Sequence, residues 1–204
     1  MKPSLSLSTA LPNRWSMAFL VVACAVAALG MPLAVSAADR APLPTIARLD
    51  VPRYMGTWHE IAKYPNWFQR RCVGDTSARY SQQPDGTVQV LNRCRREDGS
   101  FDEALGQARQ IGAADSPRLQ VRFAPAWLSF VPLVWGDYWV IDLDADYQLV
   151  AVSEPRREYL WILSRTPQVD ALRYDALVQR LARLGFDAAR LQRTPQAGAS
   201  APRP

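Results

Sequence analysis

Short alternating segments, set at regular intervals and separated by turn residues, constrain this chain more than any other feature. Arg118-Leu119-Gln120-Val121-Arg122-Phe123 alternates polar and apolar residues cleanly, as a half-buried strand does. Thr76-Ser77-Ala78-Arg79-Tyr80 alternates more weakly. Pro84-Asp85-Gly86 then supplies turn chemistry: proline presets φ and glycine admits a positive φ. Residues 87–92 return with Val88 and Val90 on one face, so the pair reads as a hairpin. Further strands are expected at 58–63, at 103–111 (polar and glycine-interrupted), and at 137–143, 148–152 and 159–164. The last three are apolar on both faces, so something must cover their outer side. The cover follows directly. Thr166 is a candidate N-cap, Pro167 suits the first helical position, and Gly185 is a candidate C-cap. Between them Val169, Leu172, Val178, Leu181 and Leu184 recur at helical spacing, which predicts an amphipathic helix over 167–184. A single terminal helix on an apolar outer face favours an all-β fold, an eight-stranded antiparallel up-and-down barrel, with the helix packed outside. A barrel of that size can hold one small ligand.

Not all of the 204 residues belong to that fold. Lys2 and Arg14 precede an apolar run from Met17 to Leu33, closed by Val35-Ser36-Ala37, small residues of the kind a signal peptidase requires. Residues 1–37 therefore read as a secretory signal peptide. A retained membrane anchor is the rival, but Gly30, Pro32 and a span short of the about 20 residues needed to cross a bilayer argue against it. Lipoprotein processing at Cys24 is a second rival, because Val21-Val22-Ala23-Cys24 resembles a lipobox; the residues after it stay apolar where lipoprotein tethers are usually polar. The chain thus reads as exported, to a periplasm or in association with an outer membrane. Residues 38–48 read as a linker, 49–193 as the barrel and helix, and 194–204 as a disordered tail.

Losing residues 1–37 lowers the formal net charge from +5 to +3, a mild excess that demands no nucleic acid. No basic stripe with interleaved aromatics is present. Cys72 and Cys94 remain, and in an oxidising compartment an even pair suggests one disulfide. They sit at matching ends of the hairpin strands, offset by about three residues, which a bulge can absorb. With His59 as the single histidine, one chain cannot build a Cys/His zinc tetrad, and no metal is expected.

Gly56-Thr57-Trp58, followed by Glu60-Ile61-Ala62, resembles the first lipocalin motif, Gly-x-Trp. Asp144-Ala145-Asp146-Tyr147 resembles the second. Tyr159-Leu160-Trp161-Ile162-Leu163-Ser164-Arg165-Thr166-Pro167 resembles the third, with its arginine at Arg165. Order and spacing agree along residues 49–192, and the likeness is greatest to the bacterial lipocalins of the envelope and their apolipoprotein D-like relatives. This resemblance implies that the first strand begins at the closed end of the barrel and that Trp58 plugs it. Arg165 would then lie across the indole, a cation–π contact worth about 0.5–2 kcal/mol. Gly56 would allow a close approach where a side chain would clash. Gly56, Trp58, Asp146, Tyr147 and Arg165 are accordingly assigned to fold closure. The resemblance further implies a hydrophobic ligand, a fatty acid or lysophospholipid, carried or stored in a cell envelope, with a role in membrane maintenance.

If the first strand rises from the closed end, the connections 64–73 and 125–136 lie at the open mouth. The first holds Trp67 and Phe68; the second contains Trp127, Phe130 and Trp135 in a long apolar run. Contiguous exposed apolar surface marks interaction. The run can line the mouth, dock it on a membrane, fold back, or pack against a second subunit in a homodimer. The cavity wall is expected from Ala62, Ala78, Tyr80, Val88, Val90, Leu119, Val121, Phe123, Tyr138 and Val140, with plain barrel packing the alternative for each. Glu60 can face inward toward water or a head group, or pair with Arg79 or another base. Arg70, Arg71 and Arg79 are candidates to meet an anionic head group, or are simply solvated.

A lipid-acting enzyme is the rival class. The chain has no Gly-x-Ser-x-Gly and no phosphate-cradling glycine loop. A Ser/His/Asp triad would have to use His59, which adjoins Trp58 and should point to the opposite strand face. No catalytic residue and no cofactor is expected. A third class is an interaction module that docks a membrane or protein through 125–136, its cavity incidental.

Overall fold

The computed structural model describes residues 41–197. The expected signal peptide, the candidate lipobox at Cys24 and residues 198–204 of the expected tail lie outside the described residues.

Eight antiparallel strands form the barrel: β1 (Gly56–Lys63), β2 (Gly74–Gln82), β3 (Val88–Arg95), β4 (Phe101–Gln110), β5 (Arg118–Arg122), β6 (Gly136–Leu143), β7 (Leu149–Ser153) and β8 (Leu160–Ser164). Each pairs with its successor, and β1 pairs with both β2 and β8, which closes the ring. A one-turn helix, α1 (Val51–Tyr54), precedes β1, and α2 (Ala171–Arg183) follows β8. The alternation sorts the side chains into two layers. Trp58, Ala78, Val88, Val90, Leu119, Val150, Val152 and Leu163 fill the interior. Ile141, Leu149, Ala151, Leu160 and Ile162 face outward and are covered by Leu177 and Leu181 of α2. The strands that read as apolar on both faces are the ones the helix covers.

The strand register shifts in three places: in β2 between Gly74 and Ser77, and in two places beneath α2. In β1 the register shifts between Glu60 and Ala62, so Glu60 faces Leu163 while Ala62 faces Ile162. The extra residue, Ile61, makes a bulge, and Ile61 and Ala62 both join the layer under the helix. Ala62, expected in the cavity wall, is therefore an outer-layer residue. In β6 a matching shift lies between Val140 and Asp142. Val140 stays in the inner core without lining the open space. Asp142 meets the helix, where it accepts from Arg180 Nε at 2.7 Å and Nη2 at 2.9 Å.

The helix begins later than the spacing predicts. Thr166 does not cap it; its hydroxyl donates to the Gln168 carbonyl at 2.6 Å. Asp170 is the N-cap, its carboxylate accepting from the Arg173 N–H at 3.1 Å. At the other end Gly185 takes φ +88, as expected of a residue just past a helix.

Both flanking segments are more engaged than their composition suggests. Of the expected linker, Leu43 is buried in the outer layer and the Ile46 N–H donates to the Val140 carbonyl at 3.1 Å; just past it, the Leu49 N–H donates to the Asp115 carbonyl at 2.8 Å. Of the expected tail, Thr194 donates through its N–H to Ile61 at 3.0 Å, and Gln196 Nε2 donates to the carbonyls of Glu60 at 2.8 Å and Thr76 at 3.0 Å. The pairing of β1 with β2 ends at His59 and Ser77. Beyond that point the short strand β9 (Gln192–Arg193) pairs with Ala62 and Lys63, and Gln196 bridges the gap. Carbonyls in a parted seam need donors, and this segment supplies them.

Candidate ligand-binding cavity

The closed end is built from the sequence motifs. Gly56 takes φ +95, a conformation that favours glycine, and a Cβ there would crowd Arg165 Nη1 at 3.3 Å. Trp58 is 0% exposed and donates from Nε1 to the Tyr54 carbonyl at 2.9 Å. The Arg165 guanidinium stacks 3.9 Å above the indole centroid. It donates to the carbonyls of Thr57 at 3.0 Å, Arg53 at 2.9 Å and Tyr147 at 3.3 Å. One cation thereby ties α1, β1 and the turn after β6 together. Tyr147 sits at φ 57, accepts from the Asp50 N–H at 3.0 Å, and lies under Arg53 at 4.3 Å. The acid that organises this turn is Asp144, which accepts from the N–H groups of Gln148 at 2.6 Å and Leu149 at 3.2 Å and pairs with Arg173. Asp146, assigned that part from the sequence, contributes only its carbonyl, to Gln148 Nε2 at 3.0 Å.

Above this plug a cavity of about 1030 Å³ opens toward the loops at the other end. Leu49, Val51 and Met55 contribute at its lining, with Ala78, Tyr80, Val88, Val90, Leu119, Val121, Phe123 and Tyr138. Gly106 on β4 makes room for Phe123, because a Cβ there would lie 2.7 Å from its ring. Alternation missed Tyr159, Trp161 and Leu163, which also line the space. Trp161 and Leu163 stand two apart on β8, so the same period contained the signal.

Three tyrosines meet inside. The Tyr138 hydroxyl shares hydrogen bonds with those of Tyr54 at 2.7 Å and Tyr80 at 3.0 Å, and the Tyr54 and Tyr80 rings stack at 5.6 Å. Burial pushes the Tyr80 phenol up to about 12 and holds Tyr54 and Tyr138 well above the ordinary tyrosine range. All three stay neutral at physiological pH.

Glu60 faces the interior, and its carboxylate is fully engaged. It accepts from Lys63 Nζ at 2.9 Å, Gln69 Nε2 at 2.7 Å and Thr194 Oγ1 at 2.5 Å, and not from Arg79. Gln69 in turn accepts from Trp161 Nε1 at 3.0 Å and Asn66 Nδ2 at 2.6 Å, so this network pins the loop between β1 and β2 to the barrel wall. The Cys72–Cys94 disulfide, with 5.5 Å between Cα atoms, ties the same loop to β3.

The mouth is aromatic. Trp67, Phe68, Tyr159 and Trp161 form a chain of ring contacts with centroids 5.6–6.2 Å apart. Across the opening, Leu133, Val134 and Trp135 line the rim. Trp135 packs between Arg109 at 4.0 Å and Arg122 at 5.2 Å, and its Nε1 donates to Ser129. Trp127 and Phe130 do not line the cavity; they are 71% and 78% exposed. Of the arginines singled out, Arg70 and Arg71 are exposed on the mouth loop. Arg79 stands opposite Thr57 on the outer face toward the closed end. The cations that line the cavity are instead Arg93 and Arg156, each paired with an acid, Glu103 at 3.6 Å and Glu158 at 3.2 Å. His59 lies on the face of β1 opposite Trp58, beside Gln196; burial draws its pKa below the usual value. Among the described residues no cluster of His, Cys, Asp or Glu could hold a metal ion.

A barrel plugged at one end, apolar within and open at the other, defines the class of single-ligand calyx proteins. The lipocalin-like domain model matches residues 49–196, and the chain belongs to the lipocalins, generally non-enzymatic proteins that bind small hydrophobic ligands. Temperature-induced lipocalin-1 of Arabidopsis thaliana is 40% identical over 160 residues, covering 78% of this chain and 85% of the relative. Outer membrane lipoprotein Blc of Escherichia coli is 35% identical over 171 residues, covering 83% and 86%. Insecticyanin from the tobacco hornworm Manduca sexta shares the fold, with a TM-score of 0.60 at 17% identity over 76% of this chain and 85% of that one.

Proposed function

We propose that this lipocalin carries or stores an amphiphilic lipid, a fatty acid or lysophospholipid, within a bacterial cell envelope. The observation that carries the reading is the cavity of about 1030 Å³, at the upper end of the size range for small-molecule sites and walled mainly by apolar side chains. Burying an acyl chain there gains about 0.8 kcal/mol per methylene. Ten methylenes would yield about 8 kcal/mol, a micromolar dissociation constant before the costs of association. The polar head would stay at the rim, beside Arg93, Arg156 and their acids. Envelope location is supported by the similarity to a protein named as an outer membrane lipoprotein and by the export signal read in residues 1–37. We propose carriage rather than turnover, because His59 lies outside the cavity, away from any bound lipid.

Native mass spectrometry of the protein isolated from its own host, followed by denaturing extraction, tests this reading. One fatty acid or lysophospholipid per chain is expected, lost when Ala78→Trp fills the cavity. A protein that arrives empty and takes up neither added oleate nor lysophosphatidylcholine would overturn it.

A second reading has its own observation. Trp127, Phe130 and Leu133 stand exposed beside the opening, Leu133 at 96%. Such a patch would let the mouth rest on a membrane and pass a lipid without crossing water. Replacing all three with serine should abolish flotation with phospholipid vesicles while soluble lipid binding persists; unchanged flotation would count against it.

A further inference from the structure

The tyrosine cluster holds one proton more than it can use. Three phenol hydroxyls carry three protons, and two O···O contacts, Tyr54 with Tyr138 and Tyr138 with Tyr80, consume two. The third has no acceptor among the described residues. It lies in the lining of the cavity, among Val51, Ala78, Val90 and Leu119, where an unpaired O–H is costly. A methyl-terminated chain pushed down to this point leaves that donor unsatisfied.

We propose that Tyr54, Tyr80 and Tyr138 form a receiving site for a neutral oxygen, a hydroxyl or carbonyl, at the buried end of the ligand. This rests on the carrier reading above and refines it: the bound lipid is polar at both ends, or is a compact apolar molecule with an oxygen at its deep end. Neutrality follows from the surroundings. The cation whose charge reaches Tyr54 and Tyr80 is Arg165, and it is committed to three backbone carbonyls and the Trp58 face. The burial that keeps the phenols protonated equally disfavours a carboxylate beside them.

The test is displacement of the neutral fluorophore N-phenylnaphthylamine by straight-chain acids from decanoate to hexadecanoate, each compared with its ω-hydroxy counterpart. Without a receiving site the ω-hydroxyl weakens binding at every length, because its desolvation is uncompensated. With it, the ω-hydroxy acid binds about three- to tenfold tighter at the chain length that reaches the cluster, and not at shorter ones. Tyr54→Phe/Tyr80→Phe/Tyr138→Phe removes every hydroxyl while keeping the ring shapes, and should erase the preference, read as the ratio of the two affinities at each chain length within the variant. Tyr80→Phe alone leaves two hydroxyls, one bond and still one spare proton, so it should keep the preference even if the triple variant does not fold. A wild type that favours the plain acid at every length overturns the proposal. A protein from which neither the acids nor lysophosphatidylcholine displaces the probe overturns the carrier reading beneath it, and with it this proposal.

Discussion

The two ends of the barrel use the same kinds of residue for opposite purposes. At the closed end an indole and a guanidinium, Trp58 and Arg165, are stacked at 3.9 Å, and the guanidinium donates to three carbonyls from three parts of the chain. At the open end Trp135 is flanked by Arg109 and Arg122, and Trp127, Phe130 and Leu133 are left largely in solvent. Aromatic and arginine content does not distinguish the two regions. What distinguishes them is how many covalently distant groups each side chain joins. The closed end ties α1, β1 and the turn after β6 into one unit. At the rim one side, Phe68 with Tyr159 and Trp161, also joins distant parts of the chain, but Trp127, Phe130 and Leu133 on the other are left exposed, which leaves that end available for a ligand.

The sharpest way to break this contrast is at the plug. Trp58→Ala should destabilise the fold by about 3–5 kcal/mol, read as a fall in the midpoint of urea unfolding. Next comes the staple of the mouth loop. Cys72→Ser/Cys94→Ser opens a loop of 22 residues and should cost about 3 kcal/mol in the same assay. Its effect on the kinetics of ligand entry tests whether the rim needs that tether. Between the two ends, the tyrosine cluster should show itself in alkali. Unfolded tyrosines titrate near pH 10, and the folded ones higher, Tyr80 at about 12. Their contribution is therefore intact below about pH 10 and is lost as the pH rises toward 12, at up to about 1.4 kcal/mol per pH unit for each group. The triple phenylalanine variant should flatten that decline in melting temperature; an unchanged decline would place its origin elsewhere. Smallest should be the rim. Serine at Trp127, Phe130 and Leu133 should leave stability within about 0.5 kcal/mol, since each is exposed.

Period and motif carried most of the barrel. Gly56, Trp58 and Arg165, though more than 100 residues separate Trp58 from Arg165, are legible because the motifs that carry them resemble those of the lipocalins. Trp161 was equally legible from its spacing with Leu163. Ala62 was not, because a bulge is one residue inserted into a pairing, and β1 carries no glycine or proline there to announce it. The start of α2 was obscured by competition between Thr166 and Asp170, either of which can cap; the Thr166 hydroxyl is consumed by Gln168. The segment through Gln196 reads as a tail from its alanines and prolines. Its place in the fold depends on the open seam between β1 and β2, which only the tertiary structure creates. The tyrosine cluster was hidden for the same reason: Tyr54, Tyr80 and Tyr138 come from three distant elements, and nothing local brings their hydroxyls together.

The most direct test of the central claim is a crystal structure with a fatty acid brominated near its methyl end, the bromine located by anomalous scattering. The account predicts one strong peak inside the barrel, among Ala78, Val88, Val90 and Leu119. A peak only on the outer face of the 125–136 loop, or none at saturating lipid, would contradict it.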